Sequence, residues 1–422
     1  RYYTYTPLQW AGCVGGNTTV TLVNGSVKRI YGGGELASVG VIDYSVEEKA
    51  DGDFDYNNKK YSYTNIKKHD SQTTDGSTFY DFGLSWPYEF TYVPCNLENF
   101  VGGVATVNVN NGPVTEYVYG GGQGKVAFGT KDGTIDDITK QRYVEAFCAN
   151  VREAHVTIGT AGGSSVTPTI GPGTATSAAS VYGGGEDGHV YGDASVTIHD
   201  GTIGHSVFGG GKGTSTYSAK LLDPATSSEK TEAEEVRSWT AGKVYGNTSV
   251  TMNGGKVGWF IYGGGNVASV GKGNYAGGSD DYSTAGYGEL PPKNGSANGP
   301  LWTNTDFTGS GKTNVTILGG RVGPDIENLP EGTALANADG IPYGSVFGGS
   351  RGTGAEESDN SPRYKYVPDY FLGYVNKTAI NIGGYINNDE TTTLATTSPT
   401  IYGSVYGGGQ DGHVRNSTEV RI

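Results

Sequence analysis

An aromatic residue followed by glycines is written seven times in this chain, and nothing else in it limits the possible folds as much. The aromatic stands at Tyr31, Tyr119, Tyr182, Phe208, Tyr262, Phe347 and Tyr406. Each is followed by Gly-Gly and, except where Ser350 intervenes, by a third Gly. "VYGGGEDGHVYGD" at 181–193 and "VYGGGQDGHVRNS" at 405–417 are near copies. Recurrence of this kind inside one chain points to stacked repeats. Consecutive glycines remove every Cβ and open positive φ, so the expected role is a sharp corner where neighbouring coils approach closely. The corner residues so assigned are Gly32, Gly33, Gly34, Gly183, Gly184, Gly185, Gly209, Gly210, Gly211, Gly407, Gly408 and Gly409.

A second pattern precedes six of the corners: "VTLVNGSV" at 20–27, "VNVNNGPV" at 107–114, "VTIHDGTI" at 196–203, "VTMNGGKV" at 250–257, "VTILGGRV" at 315–322 and the shorter "INIGGYI" at 380–386. Val196-Thr197-Ile198 alternates apolar and polar, which predicts a strand with one buried face. Asp200-Gly201 then turns the chain. Tyr182 and Phe208 stand 26 residues apart, enough for strand, turn, strand, turn, strand. One such coil cannot bury its own valines, so stability must be collective along a stack. Val20, Val107, Val196, Val250, Val315 and Ile380 are expected to share one internal ladder. Outward positions read Thr21, Asn108, Thr157, Thr197, Thr251, Thr316 and Asn381, a neutral polar ladder. The corner aromatics, each next to an inward apolar residue, should face outward, either as an exposed platform for sugar stacking or, as Phe208 and Phe347 favour, as a buried or covered stack.

The predicted fold is all-β: a parallel β-helix or β-solenoid, right-handed as parallel crossovers are, with about three strands per coil. It forms a single domain, 1–422, with a cap at 1–16 and insertions at about 41–100, 130–150, 214–240, 272–310, 324–342, 354–375 and 387–400. Only "SSEKTEAEEVRS" at 227–238 reads as a helix.

The net charge of −14, with no basic patch, argues against nucleic acid and anionic membrane as partners. No apolar run reaches the roughly 20 residues of a membrane helix. With a single methionine, Met252, the expectation is that Arg1 opens a mature or excised product. The strand-like end at Glu419–Ile422, without a polar cap, predicts either further coils or head-to-tail, filament-like docking. Cys13, Cys95 and Cys148 allow at most one internal disulfide, of unassigned pairing.

Several motifs are weighed and set aside. Gly183-x-Gly185-x-x-Gly188 and Gly407-x-Gly409-x-x-Gly412 lack the following helix of a dinucleotide site. Lys212 in "FGGGKGT" likewise precedes no helix. Asp187 with His189 and Asp411 with His413 occupy equivalent repeat positions, which favours a structural role. Asp136, Asp137 and Gly204-His205 invite comparison with β-helical polygalacturonases, but the partner residues of that site are missing. Asp51, Asp53 and Asp55 alternate as calcium ligands do in an acidic loop; no other cofactor is expected. Tyr61, Tyr63, Trp86, Tyr88, Tyr364, Tyr366 and Tyr370 cluster in insertions and are the candidate binding residues.

The YGGG corners and V-T-I strands resemble the glycine-rich parallel β-helix regions of large bacterial cell-surface, adhesin-like proteins. That resemblance covers most of the chain. It implies a secreted structural or adhesive protein, not an enzyme, that binds surface proteins, glycans or other copies of itself. The alternative is a β-helical polysaccharide hydrolase or lyase.

Overall fold

The structure, a computed structural model, describes residues 14–35, 37–42, 100–124, 149–171, 179–213, 241–272, 309–324, 326, 329, 331–352, 373–387 and 389–422. It also gives the backbone alone of the short strands at 47–48, 53–55, 66–69, 79–81, 216–219, 234–237, 357–358 and 361–362. The described residues are all-β, with no α-helix among them.

Eight parallel strands form the first sheet in chain order: Thr18–Leu22, Val104–Val109, Glu153–Ile158, Ala194–Ile198, Thr248–Met252, Lys312–Ile317, Lys377–Ile382 and Thr418–Arg421. They define eight levels of a stack. Register is constant throughout, so Val20, Val107, Val156, Val196, Val250, Val315, Ile380 and Val420 form one column. The six residues expected in a common ladder all stand in it. From Val107 to Ile380 the column is buried, whereas Val20, with a strand on one side only, is 37% exposed. Val109, Ile158, Ile198, Met252 and Ile317 make a second buried column two residues along, as strand alternation requires.

The second sheet consists of two parallel strips. One carries Val27, Val114, Ile170, Ile203, Val257, Val322 and Ile401. The other carries Ile30, Val118, Val181, Val207, Ile261, Val346 and Val405. The long strand Pro113–Tyr119 belongs to both and joins them. The core lies between the first sheet and these strips. Burying each such aliphatic side chain contributes about 1.5–3 kcal/mol before ordering costs.

A third line of contact uses one valine per level. Bridges run Val14 to Val39, Val151 through Val190 and Val244 to Val270, and Val375 to Val414. Val39 N–H to Asn150 O (2.9 Å) and Val270 N–H to Tyr374 O (3.0 Å) close the gaps. All of these valines but the exposed Val14 pack with Ala105, Ala154 and Ala194 in a smaller core of their own.

Antiparallel pairing occurs within the long intervening segments. Thr216–Ala219 pairs with Glu234–Arg237, Glu357–Ser358 with Ser361–Pro362, and Gly384–Ile386 with Thr392–Leu394. The first of these corrects the helix expected at 227–238: its C-terminal part is a strand, with Val236 opposite Tyr217. A helix of about 12 residues is marginal without tertiary support, and β pairing competes successfully.

The corner glycines also require a correction. None of Gly32–Gly34, Gly183–Gly185, Gly209–Gly211 or Gly407–Gly409 has positive φ. Positive φ belongs to the turn after the first-sheet strand, at Gly25, Gly112, Gly159, Gly201, Gly255, Gly320 and Gly383. What the corner demands is proximity. A Cβ on Gly184 would lie 2.7 Å from Gly211 N, and one on Gly121 would lie 2.8 Å from Gly185 N.

Candidate functional site

The glycine corner is where side chains of different levels converge. The middle glycines continue the ladder of amide bonds around the bend: Gly33 to Gly121, Gly121 to Gly184, Gly184 to Gly210, Gly210 to Gly264, Gly264 to Gly349 and Gly349 to Gly408, all at 3.0–3.1 Å from N–H to O. Side chains are excluded there because the backbones themselves meet.

Inside the corner, threonine ties the first sheet to it. Thr18, Thr248, Thr313 and Thr378 donate from Oγ1 to the carbonyls of Gly32, Gly263, Gly348 and Gly407. At the intermediate levels the column holds Ala105, Ala154 and Ala194, and the bond is absent.

Outside the corner, seven rings stack face to face. Successive centroids from Tyr31 through Tyr119, Tyr182, Phe208, Tyr262 and Phe347 to Tyr406 are 4.7–4.9 Å apart, with planes within 14°. The ring spacing follows the strand spacing of about 4.8 Å. The five inner rings are buried. Tyr117, Trp259, Phe260, Ile341 and Tyr343 pack over them, so the outward ladder is covered.

The hydroxyls follow a rule that reaches past the adjacent level. Tyr31 (level 1) donates to Glu186 Oε2 (level 3) at 2.6 Å. Tyr182 (level 3) accepts from Asn266 Nδ2 (level 5) at 3.3 Å. Tyr262 (level 5) donates to Gln410 Oε1 (level 7). All three acceptors or donors are the residue just after a glycine corner. For Tyr119 that residue is Lys212, whose ammonium instead pairs with Glu186 Oε1 at 3.1 Å and lies 4.9 Å from the Tyr117 ring centre. Among the described residues the Tyr119 hydroxyl is buried without a partner. Burial raises the pKa of Tyr119, Tyr182 and Tyr262, and burial with the bond to Glu186 raises that of Tyr31, so all four remain neutral phenols at pH 7.

His205 sits beside the stack. Its Nδ1 is 3.1 Å from Ser180 Oγ, and its ring lies 3.9 Å from that of Trp259. Burial, and secondarily the positive charge of Arg351, lower its pKa to about 4. This walled, neutral imidazole has no described carboxylate partner, and Asp136 and Asp137 lie outside the described residues.

The motifs set aside on sequence take structural places. His189 is buried edge-on to Tyr191 and Tyr245. Strand Ala194–Ile198, not a helix, follows Gly188. The threonine ladder is in register, with Asn108 Nδ2 donating to Thr21 Oγ1 at 3.5 Å. Tyr61, Tyr63, Trp86, Tyr88, Tyr364, Tyr366, Tyr370, Asp51, Cys13, Cys95 and Cys148 lie outside the described residues. Asp53 and Asp55 belong to a strand, not a loop, with Asp53 opposite Lys67; their side chains are likewise outside the description. Among the described residues no three His, Cys, Asp or Glu side chains gather to hold a metal ion, and no helix is long and apolar enough to cross a membrane.

The class defined is thus an all-β protein of stacked parallel sheets with a glycine corner. No protein-family model, no curated protein and no solved structure matches the chain.

Proposed function

We propose that the stacked sheets wind as a right-handed, three-sided β-solenoid, one level per coil, and that this chain is an extracellular structural or adhesive module of a bacterial surface. In this reading the solenoid is a stiff, non-catalytic spacer. The inserted segments supply contact surfaces for glycans, surface proteins or further copies, with Tyr61, Tyr63, Trp86, Tyr88, Tyr364, Tyr366 and Tyr370 as contacts. Asp51, Asp53 and Asp55 are proposed to hold a structural calcium ion.

The observation that carries the reading is the use made of the repeated positions. Glycine, aromatic and valine columns are consumed in joining one level to the next, and threonine in tying the first sheet to the corner of its own level. The outward columns through Thr19 and Thr21 are hydroxyl and amide groups at levels 1–5 except for His155, and the one carboxylate at an outward strand position of these levels is Glu153, 3.5 Å from His155 Nε2. A polysaccharide-cleaving groove needs carboxylates placed to work as acid and base.

The test is a panel of acidic and neutral polysaccharides immobilised for binding, with reducing-sugar release measured in parallel. Binding without release, weakened when Tyr364, Tyr366 and Tyr370 are changed to Ala, is the expected result. Release of sugar would replace this reading with the enzymatic one.

A further inference from the structure

We infer that Asn24-Gly25 is a self-modifying site, at which the chain converts an asparagine at one end of the described stack into an aspartyl or isoaspartyl residue. This goes beyond the structural reading and does not depend on it.

The turn after the first-sheet strand places a side-chain carbonyl against the next backbone amide. Gly25 N lies 2.8 Å from Asn24 Oδ1, and Gly112 N lies 2.7 Å from Asn111 Oδ1. Glycine at positive φ makes this approach possible (φ is 104° at Gly25), because no Cβ stands in the way. The Gly25 nitrogen is therefore held beside the side-chain amide whose carbon, Cγ, it attacks, and such positioning favours intramolecular reaction.

The two sites are chemically alike but differently placed. Asn24 and Gly25 are exposed, and nothing described lies within 4 Å of where a Gly25 Cβ would be. Gly112 is packed against the backbone of Gly25, so ring closure at Asn111 must push against the adjacent level. In addition, Asn111 Nδ2 donates to Asn24 Oδ1 at 3.4 Å. That amide stands where negative charge develops when Asn24 is attacked, as a donor in an oxyanion hole does.

The reaction needs only water and base. Base removes the proton of Gly25 N, and the nitrogen attacks Asn24 Cγ, forming an N–Cγ bond and an oxyanion at Oδ1. The Cγ–Nδ2 bond breaks and Nδ2 leaves as ammonia, its extra proton coming from water. Water then opens the cyclic imide. Attack at Cγ gives aspartate, and attack at the main-chain carbonyl gives isoaspartate, with the chain now running through Cγ. The fold already accepts a carboxylate in this turn: Asp200, at level 4, makes the same contact with Gly201 N at 2.7 Å.

The test is peptide mapping by mass spectrometry of the folded chain held in mildly alkaline heavy-oxygen water, with samples taken over days. Asn24 is expected to take up the label at least several-fold faster than Asn111, and the difference should disappear in denaturant. Asn111→Ala should slow reaction at Asn24, and Gly25→Ala should slow it further. Equal rates at the two sites in the folded chain, or no reaction at Asn24, would overturn the inference. An unchanged Asn24 rate in Asn111→Ala would overturn the role given to the Asn111 amide.

Discussion

The Tyr31 hydroxyl donates to Glu186 at 2.6 Å across 155 residues of sequence and past one intervening level of the stack. Glu186 also holds Lys212 from the level beyond. One carboxylate therefore joins three non-identical levels on the outside of the corner. Because the pair is largely buried, its removal leaves charge behind: Glu186→Ala strands the Lys212 ammonium and is expected to cost about 3 kcal/mol. Tyr31→Phe should cost about 1 kcal/mol, and the double variant should cost less than the sum of the two. Denaturant unfolding of the four proteins measures this coupling.

Tyr119 and Tyr182 offer a matched pair. Among the described residues the Tyr119 hydroxyl is buried without a partner, whereas Tyr182 accepts from Asn266. Tyr119→Phe should therefore be neutral or stabilising, while Tyr182→Phe should cost about 1 kcal/mol. Equal destabilisation of both variants would show that the hydroxyl at position 119 has a partner in solution.

Glycine at the corner can be tested with an internal control. Gly184→Ala would place a methyl 2.7 Å from the Gly211 amide nitrogen, whereas at Gly408 nothing described lies within 4 Å. The first substitution should cost about 2 kcal/mol or more and the second close to nothing. Thermal melting of the two variants decides the matter. A Gly408→Ala effect as large as that of Gly184→Ala would mean that this corner too is covered.

Thr248 and Thr313 each donate across the core to a glycine carbonyl, at 2.6 and 2.5 Å. Valine keeps the shape and loses the donor. Each Thr→Val change is expected to cost about 1–2 kcal/mol, because the carbonyl is left unpaired in a buried place. Hydrogen exchange at the corner amides should rise in step with the loss.

The half-buried imidazole of His205 predicts an acid-sensitive fold. Its pKa of about 4 lies below the ordinary 6.5, so the unfolded chain binds the proton first as pH falls. Stability from this group is complete above pH 6.5, declines between 6.5 and about 4, and does not change further below that. The full loss is about 3 kcal/mol. Carboxylates such as Glu116, whose pKa is lowered by Arg29, add to the loss only in the acidic part of this range. Unfolding free energies between pH 7 and 5 should therefore fall for the native chain and stay nearly level for His205→Gln.

Much of the fold could be read from apolar alternation. The column from Val20 to Ile380 needs only β-branched residues every second position and a turn at constant offset. The covering of the aromatic ladder was also legible, since Phe208 and Phe347 replace tyrosine where a hydroxyl would have no use in water. The function of the corner glycines was legible only in part: sequence shows that a Cβ is unwelcome but does not separate positive φ from backbone contact. The strand at Glu234–Arg237 was hidden because its glutamates favour a helix locally, while its partner, Thr216–Ala219, lies 15 or more residues earlier. The bonds from Tyr31, Tyr182 and Tyr262 had no linear signal, because their partners follow other corners at unequal distances along the chain.

The bonds from Tyr31, Tyr182 and Tyr262 to the second level beyond have a bearing on how such a chain can change its length. In stacked arrays whose members touch only their neighbours, one member can be lost or copied with little effect on the rest. Here the loss of level 4 would preserve every adjacent contact, yet it would bring Tyr119 to Asn266 and Tyr182 to Arg351. Duplicating a level would shuffle the same pairs in the opposite direction. The identities of Glu186, Asn266 and Gln410 thus form a count: they match a stack of this order and number of levels, and unequal recombination between its near-identical repeats would produce chains that stack but no longer pair.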